Sequence, residues 1–483
     1  MKKSLCSLLS VLMVCLGLGL LAVESCSLGR LATPTVDFDS RILQAMDRAS
    51  VPGLSLTILS GGRVEPARAF GAKNRTTKDA VSAETVFEAC SLSKPVLANA
   101  ALALVGEGRL DLDTPLLAQA SEDVLARLYF LAKIEDDRIR RITPRMVLSH
   151  RSGFPNWRRG RLALIADPGT KFGYSGEGFV LLQKVIEQIT GRPINDFVRE
   201  RVFIPLGMTS SSYVWIPEYD TQAAEPHSLF GEPGKKAKPS SANGAASLHT
   251  TSHDYALFLA ALLQGPGLKE DLRRQMLTEQ TSISSGVGWG LGVGLEKTEG
   301  GTCLWHWGDN GDFKCFFLVD RKTRSGFVYF SNGHFGLSLA PELARLILGN
   351  PHPLFSTSLM DGYDPLDSPI FDIVRAASGN EIEAGLDLAR KLAAESPGKV
   401  RESSLNSFGY ALLRRNRTDE AIKVFELNVQ LFPQSWNTYD SLAEAMEKQG
   451  NVEAAIRNYG LSLKLNPDNA NAAKRLQALR DKK

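Results

Sequence analysis

The sequence predicts an α+β fold in which a sheet-and-helix domain is followed by an all-α array. Three observations predict it. Short β-rich runs (Leu54 to Leu59, Phe316 to Val319, Gly326 to Ser331) stand near both ends of residues 36–350, with amphipathic helices between them. Pro351, Pro353, Pro365 and Pro369 then break the chain. Beyond them small and apolar residues recur at a fixed period: Ala421 and Ala455, Phe425 and Tyr459, Leu427 and Leu461, Leu431 and Leu465, Pro433 and Pro467.

Composition narrows the class. Across 483 residues, 43% are hydrophobic and 23% charged, which is globular composition and excludes wholesale disorder. The 56 Lys and Arg exceed the 53 Asp and Glu by only three, with no dense basic run, so nucleic acid is not an expected partner. The 6 Cys are too few for a disulfide scaffold.

Residues 1–25 read as a signal peptide. Lys2 and Lys3 precede an apolar run from Leu8 to Leu21, and a small-residue site follows at Val23-Glu24-Ser25. Export to the periplasm is expected, and membrane association only if Cys26 is lipidated. No later apolar run reaches the roughly 18 residues of a membrane span. Residues 351–369 read as a linker. Cys303 and Cys315 flank a candidate motif on two expected antiparallel strands, which leaves a bridge between them open.

In the last zone small alanines let paired helices approach, an aromatic fills the next gap, and proline ends the second helix. The zone, residues 370–480, resembles tetratricopeptide (TPR) repeats. Two are clear at about 402–435 and 436–469, and a degenerate one at about 370–398 precedes them. The resemblance implies a groove for a protein or peptide partner. So few repeats are expected either to dock on the first domain or to be capped by 470–480, and a chain ending near Asn350 is expected to stay soluble and hydrolyse small esters.

The chemistry-bearing residues lie within 36–350. Ser91-Leu92-Ser93-Lys94 opens an alanine-rich helical run, Val96 to Val105. Serine and lysine three apart at a helix start share one face, so the lysine nitrogen reaches the hydroxyl. Alone this pattern also fits an ordinary helix start with a solvated lysine. Two further segments support it. Tyr174-Ser175-Gly176 precedes the helical run Phe179 to Ile189. A tyrosine near a protonated lysine can become phenolate and act as general base. His306-Trp307-Gly308 stands between two β-like runs, where a backbone N–H can face an oxyanion.

S-x-x-K, Y-x-x and H-x-G in that order resemble the serine β-lactamase and penicillin-binding superfamily, in its branch of class C β-lactamases, DD-peptidases and esterases. Val51-Pro52-Gly53-Leu54-Ser55, Gly108 to Asp113 and Leu148 to Gly153 agree with it. The resemblance implies a β-lactamase/transpeptidase-like fold, an antiparallel sheet flanked by helices with a helical region. It implies Ser91 as acylated nucleophile, Lys94 as its activating partner and Tyr174 as base. His306 takes the place of the third-motif lysine, and the N–H groups of Ser91 and Asp309, after Gly308, form the oxyanion hole. No metal and no cofactor is implied.

Two residues depart from the pattern. The usual Y-x-N asparagine is Gly176, and the lysine of K-T-G is His306. Weak or no β-lactam turnover is therefore expected from an exported serine hydrolase that takes a small-molecule or peptide substrate, an ester or D-amino-acid-type amide. The alternative is a catalytically silent binding protein that uses its repeats. His150 reads as a hydrogen-bonded structural residue, with a triad of Ser91, His150 and Asp111 as the competing assignment.

Overall fold

The computed structural model describes residues 36–121, 136–158, 162–265, 267–349, 351–379 and 381–481. The expected signal peptide and Cys26 lie outside the described residues. No helix among those residues is long and apolar enough to cross a membrane.

Helix α1 (Val36–Arg48) leads into β1 (Gly53–Ser60), β2 (Arg63–Val64), β3 (Arg68–Asn74) and β4 (Asp79–Ala80). After β5 (Phe87–Glu88) come the long helices α2 (Ser93–Gly106) and α3 (Gly176–Thr190), then β6 (His249–Thr250) and α4 (Ser252–Gln264). Strands β7 (Thr281–Ser284), β8 (Val287–Trp289), β9 (Gly294–Thr298), β10 (Gly301–Asp309), β11 (Lys314–Asp320) and β12 (Ser325–Ser331) follow, closed by α5 (Ala340–Ile347). The main sheet runs β4-β3-β1-β12-β11-β10-β9-β8-β7, with β2 beside β1. Strands from both ends of the domain meet at its centre, where Leu54 opposes Ser331 and Ile58 opposes Phe327.

Alternation along the central strands separates two cores. Leu304, Cys315, Phe317, Val319, Val328 and Phe330 join α2, α3 and α4 in one hydrophobic cluster. Cys303, Trp305, Trp307, Phe316, Leu318, Phe327 and Tyr329 face the other way, onto α1 and α5. Cys303 and Cys315 therefore sit on opposite faces of the sheet, and Cys303 opposes Asp320 while Cys315 opposes Gly308. The bridge left open from sequence does not form; both thiols are free.

Beyond α5 the chain forms helical hairpins: α6 (Ile370–Ala376) with α7 (Ile382–Glu395), α8 (Glu402–Arg414) with α9 (Thr418–Leu431), and α10 (Trp436–Gln449) with α11 (Val452–Leu465). Helix α12 (Ala470–Arg480) closes the array. The 34-residue spacing reappears in the starts of α8 and α10, and of α9 and α11.

The packing continues across the expected boundary at 350. The cluster on the second face of the sheet also contains Leu354, Ile370, Phe371, Val374, Leu386, Phe408 and Phe425. Phe335 meets Phe371 edge to face at 5.1 Å, and Phe230 meets Phe408 at 6.2 Å. Arg48 of α1 donates to the Asp372 carboxylate at 2.6 Å and to the Leu366 carbonyl at 3.0 Å. The segment 351–369 is thus a packed strap rather than a loose linker, and the hairpins share the sheet's core.

Candidate active site

Ser91 lies in the tight turn Cys90–Leu92 that feeds directly into α2. Cys90 takes a positive φ of 47°, a region costly for a residue with a Cβ. The turn is held from outside: the Ser93 hydroxyl donates to the Cys90 carbonyl at 2.5 Å and accepts from the Leu248 N–H at 3.0 Å. Tyr255 donates to the Leu92 carbonyl at 2.9 Å and Tyr213 to the Ser93 carbonyl at 2.6 Å. Leu248, Tyr255 and Tyr213 do not announce themselves in the sequence, since each comes from a distant segment.

At the second position of α2, Lys94 is fully buried. Its Nζ lies 3.0 Å from Ser91 Oγ and 2.8 Å from the Ala245 carbonyl. That carbonyl belongs to a loop secured by Gln183, which accepts from Gly244 N–H at 2.7 Å and donates to the Ala242 carbonyl at 3.0 Å. No carboxylate pairs with Lys94 in these contacts. Burial lowers its pKa to about 7, so the free amine is well populated at neutral pH.

Tyr174 stands just before α3, with its ring 4.2 Å from that of His150 and 4.7 Å from that of Trp307. Lys94 Nζ sits 4.9 Å above the Tyr174 ring centroid. The phenol oxygen is buried, with the Ser91 side chain as its hydrogen-bonding neighbour. Burial pushes the phenol well above its ordinary range, an effect that Ser91 offsets only in part. Charge over a ring face compensates little of the lost hydration of a phenolate oxygen, so burial favours the neutral phenol of Tyr174.

His306 lies on β10, on the Leu304 side of the sheet by alternation, with its ring 6.1 Å from Tyr174. Its Nδ1 is 2.7 Å from the Trp307 carbonyl, which makes it the protonated nitrogen, and Nε2 makes no hydrogen bond within the protein. Burial, reinforced by Lys94, lowers its pKa to about 3. His306 is a neutral ring here and supplies no cation. At Gly308 a Cβ would lie 2.8 Å from Cys90 Cβ and 2.9 Å from the Ala89 carbonyl. Only glycine lets the end of β10 approach the turn that bears Ser91 this closely. Asp309 follows at the strand's last position.

The sites expected from sequence thus come together, with Ser91, Lys94, Tyr174, His306, Gly308 and Asp309 converging between α2 and β10. His150 does not complete a triad. Its Nδ1 accepts the Ser175 N–H at 3.0 Å, while Asp111 accepts from the Asp113 and Thr114 N–H groups in its own loop. The space beside Gly176 is filled: a Cβ there would lie 2.6 Å from the Trp157 ring and 2.9 Å from the Asn156 carbonyl. Asn156 Oδ1 accepts the Gly176 N–H at 3.0 Å.

A separate buried group, Glu296, Cys303 and His352, brings its donor atoms within 4.8 Å of one another. Glu296 accepts from Leu354 N–H at 2.8 Å and lies 2.7 Å from His352 Nδ1. That gap is shorter than the roughly 3.3 Å separating two ligands of a tetrahedral ion with ~2.0 Å bonds. The contacts fasten the strap to β9.

A Beta-lactamase family model matches residues 38–349 of this chain. Penicillin-binding protein 4 of Amycolatopsis lactamdurans is 26% identical over 337 residues, covering 62% of this chain and 85% of that protein. Lovastatin esterase of Penicillium rubens is 27% identical over 314 residues, covering 50% and 77%. Among solved structures, the D-alanine carboxypeptidase AmpC of Burkholderia cenocepacia superposes with a TM-score of 0.55 at 18% identity, covering 64% of this chain and 97% of its own.

Proposed function

Since the chain belongs to the beta-lactamase family of serine hydrolases, we propose that it cleaves an ester or a D-amino-acid-type amide through an acyl-enzyme on Ser91, with little β-lactam turnover. The observation that carries this reading is the buried Lys94 amine, its pKa lowered to about 7, at 3.0 Å from the Ser91 hydroxyl. An amine of that basicity next to a hydroxyl is a matched general base.

The steps balance on these residues. Lys94 takes the hydroxyl proton as Ser91 Oγ bonds to the acyl carbon. The oxyanion faces the N–H groups of Ser91 and Asp309. As the bond to the leaving group breaks, the Lys94 ammonium returns the proton to it, and the Tyr174 phenol, beside Ser91, hydrogen-bonds the departing atom. Water then attacks the acyl carbon by the reverse relay and frees Ser91.

A pH dependence follows with a definite sign. The active form has Lys94 unprotonated, so kcat/KM for p-nitrophenyl butyrate should rise as pH increases through about 7 and then level. A profile that falls through that range would remove Lys94 as base.

Discrimination against β-lactams comes from two residues. Gly176 offers no side-chain amide to an acylamino group, and Trp157 occupies the space that one would need. His306 is uncharged and provides no cation for a β-lactam carboxylate. Butyrate ester hydrolysis should exceed nitrocefin hydrolysis at least ~10-fold in kcat/KM on one preparation, and a nitrocefin value above about 10⁵ M⁻¹s⁻¹ contradicts the assignment. The name of the fungal relative, an esterase, supports the ester half of the reading.

Export to the periplasm is part of the proposal, supported by the charged and apolar pattern of residues 1–25. TPR identity of the hairpins, with a protein or peptide partner, is supported by their 34-residue spacing. Cell fractionation with N-terminal sequencing of the mature chain tests the first, and affinity capture with defined peptides the second.

A further inference from the structure

This inference rests on the acyl-enzyme reading and concerns residues outside the matched family segment. We propose that the C-terminal region is part of the catalytic device: Tyr363 of the strap and Arg415 of the helical array are positioning residues for the β10–β11 turn, which presents the oxyanion N–H of Asp309.

The turn is anionic and crowded. Asp309 and Asp312 lie three residues apart on one hairpin, and Glu88 faces them from β5. Three anchors belong to the catalytic domain. Lys314 pairs with Asp309 at 2.5 Å, Asn310 donates to Glu88 at 2.7 Å and to the Ala246 carbonyl at 3.2 Å, and His334 lies 3.1 Å from Asp312. The other two come from beyond residue 349. The Tyr363 hydroxyl donates to Asp309 Oδ2 at 3.2 Å, and Arg415, just past the end of α8, donates to Asp312 Oδ2 at 2.6 Å.

The Arg415–Asp312 contact is sheltered, whereas the Tyr363–Asp309 contact lies at the surface. The Arg415 and Asp312 side chains are 23% and 19% exposed, so solvent screens the pair weakly. Arg415 is also the only arginine or lysine in an ion pair with Asp312 among the described residues. Without it Asp312 keeps only His334, whose charged form is disfavoured by its burial. A negative charge would then stand uncompensated three residues from the oxyanion site, on a turn that had lost an anchor. Oxyanion stabilisation depends on donors fixed before charge develops, so both effects act on the transition state. Neither residue touches substrate in this assignment.

The test uses the full chain. Active sites are counted by fluorophosphonate labelling, with the labelled peptide identified, and p-nitrophenyl butyrate turnover is expressed per labelled site. For Arg415→Ala the expected result is a kcat lower by about 10-fold with KM within twofold, a fraction of the ~10²–10³ lost when an oxyanion donor is removed outright. Arg415→Lys should recover part of it, and Tyr363→Phe should lower kcat about threefold. Burst and steady-state rates should fall together, because acylation and deacylation both pass through an oxyanion. Arg390→Ala, an exposed arginine of α7, should leave kcat unchanged. If Arg415→Ala does not fold, Tyr363→Phe decides, since it removes one hydroxyl.

If wild-type protein labels at Ser91 and kcat per labelled site is unchanged in Arg415→Ala and Tyr363→Phe, the coupling is refuted while the acyl-enzyme stands. If Ser91 does not label at all, the acyl-enzyme reading fails, and the coupling with it.

Discussion

Ser91→Ala should lower p-nitrophenyl butyrate hydrolysis at least ~10³-fold and abolish covalent fluorophosphonate labelling, the scale seen when an acylated nucleophile is removed. The fold should survive, because the hydroxyl faces Lys94 and the cleft while the turn is held by the Ser93, Tyr213 and Tyr255 contacts. Lys94→Ala should cost about 10² or more by loss of the base. Tyr174→Phe should cost a similar factor of ~10², through loss of its hydrogen bond to the leaving group. Assays on folded protein, checked by circular dichroism, measure all three. A Ser91→Ala protein that keeps a tenth of the activity places the nucleophile elsewhere. Intact protein that never labels supports the silent binding reading instead.

The second large effect concerns the C-terminal region. Removing everything after residue 349 should yield protein that is aggregated or strongly destabilised, not the soluble esterase expected from sequence. Truncation takes away Leu354, Ile370, Phe371 and Val374, which cover the sheet face built from Trp305, Phe316, Leu318 and Tyr329. Re-exposing three or four such side chains costs roughly 1.5–3 kcal/mol each. Their sum is comparable with the 5–15 kcal/mol that typically holds a whole domain together. The cut also removes the Arg48 contacts to Leu366 and Asp372 and the strap anchored on Glu296. Thermal melting of full-length and truncated chains checks this. Equal melting temperatures with retained ester turnover would show that the two regions are independent after all.

The chemistry was legible wherever it is local. Ser91 and Lys94 meet because three residues in a helix bring side chains to one face, and that geometry is independent of the rest of the protein. The strands at both ends of the domain were readable from their β-rich runs, and β1 does pair with β12. The hairpins after residue 370 were readable because each repeats its neighbour's small and large residues at one period.

Tertiary structure alone decided the rest. Tyr174 and Lys94 are 80 residues apart in the chain, and only the packed site shows the lysine nitrogen over the ring face. A bridge between Cys303 and Cys315 stayed open in the sequence because the register of their strands was not fixed, and strand alternation sends them to opposite cores. Trp157 beside Gly176 and Arg415 on Asp312 depend on contacts across many residues. The physical reason is one of range. A motif and a period are set by backbone geometry within a few residues, and the sequence by itself determined those. Burial, and the pKa values and charge pairing that follow from it, depend on which distant segments exclude water from a group, and that exists only once the chain has packed.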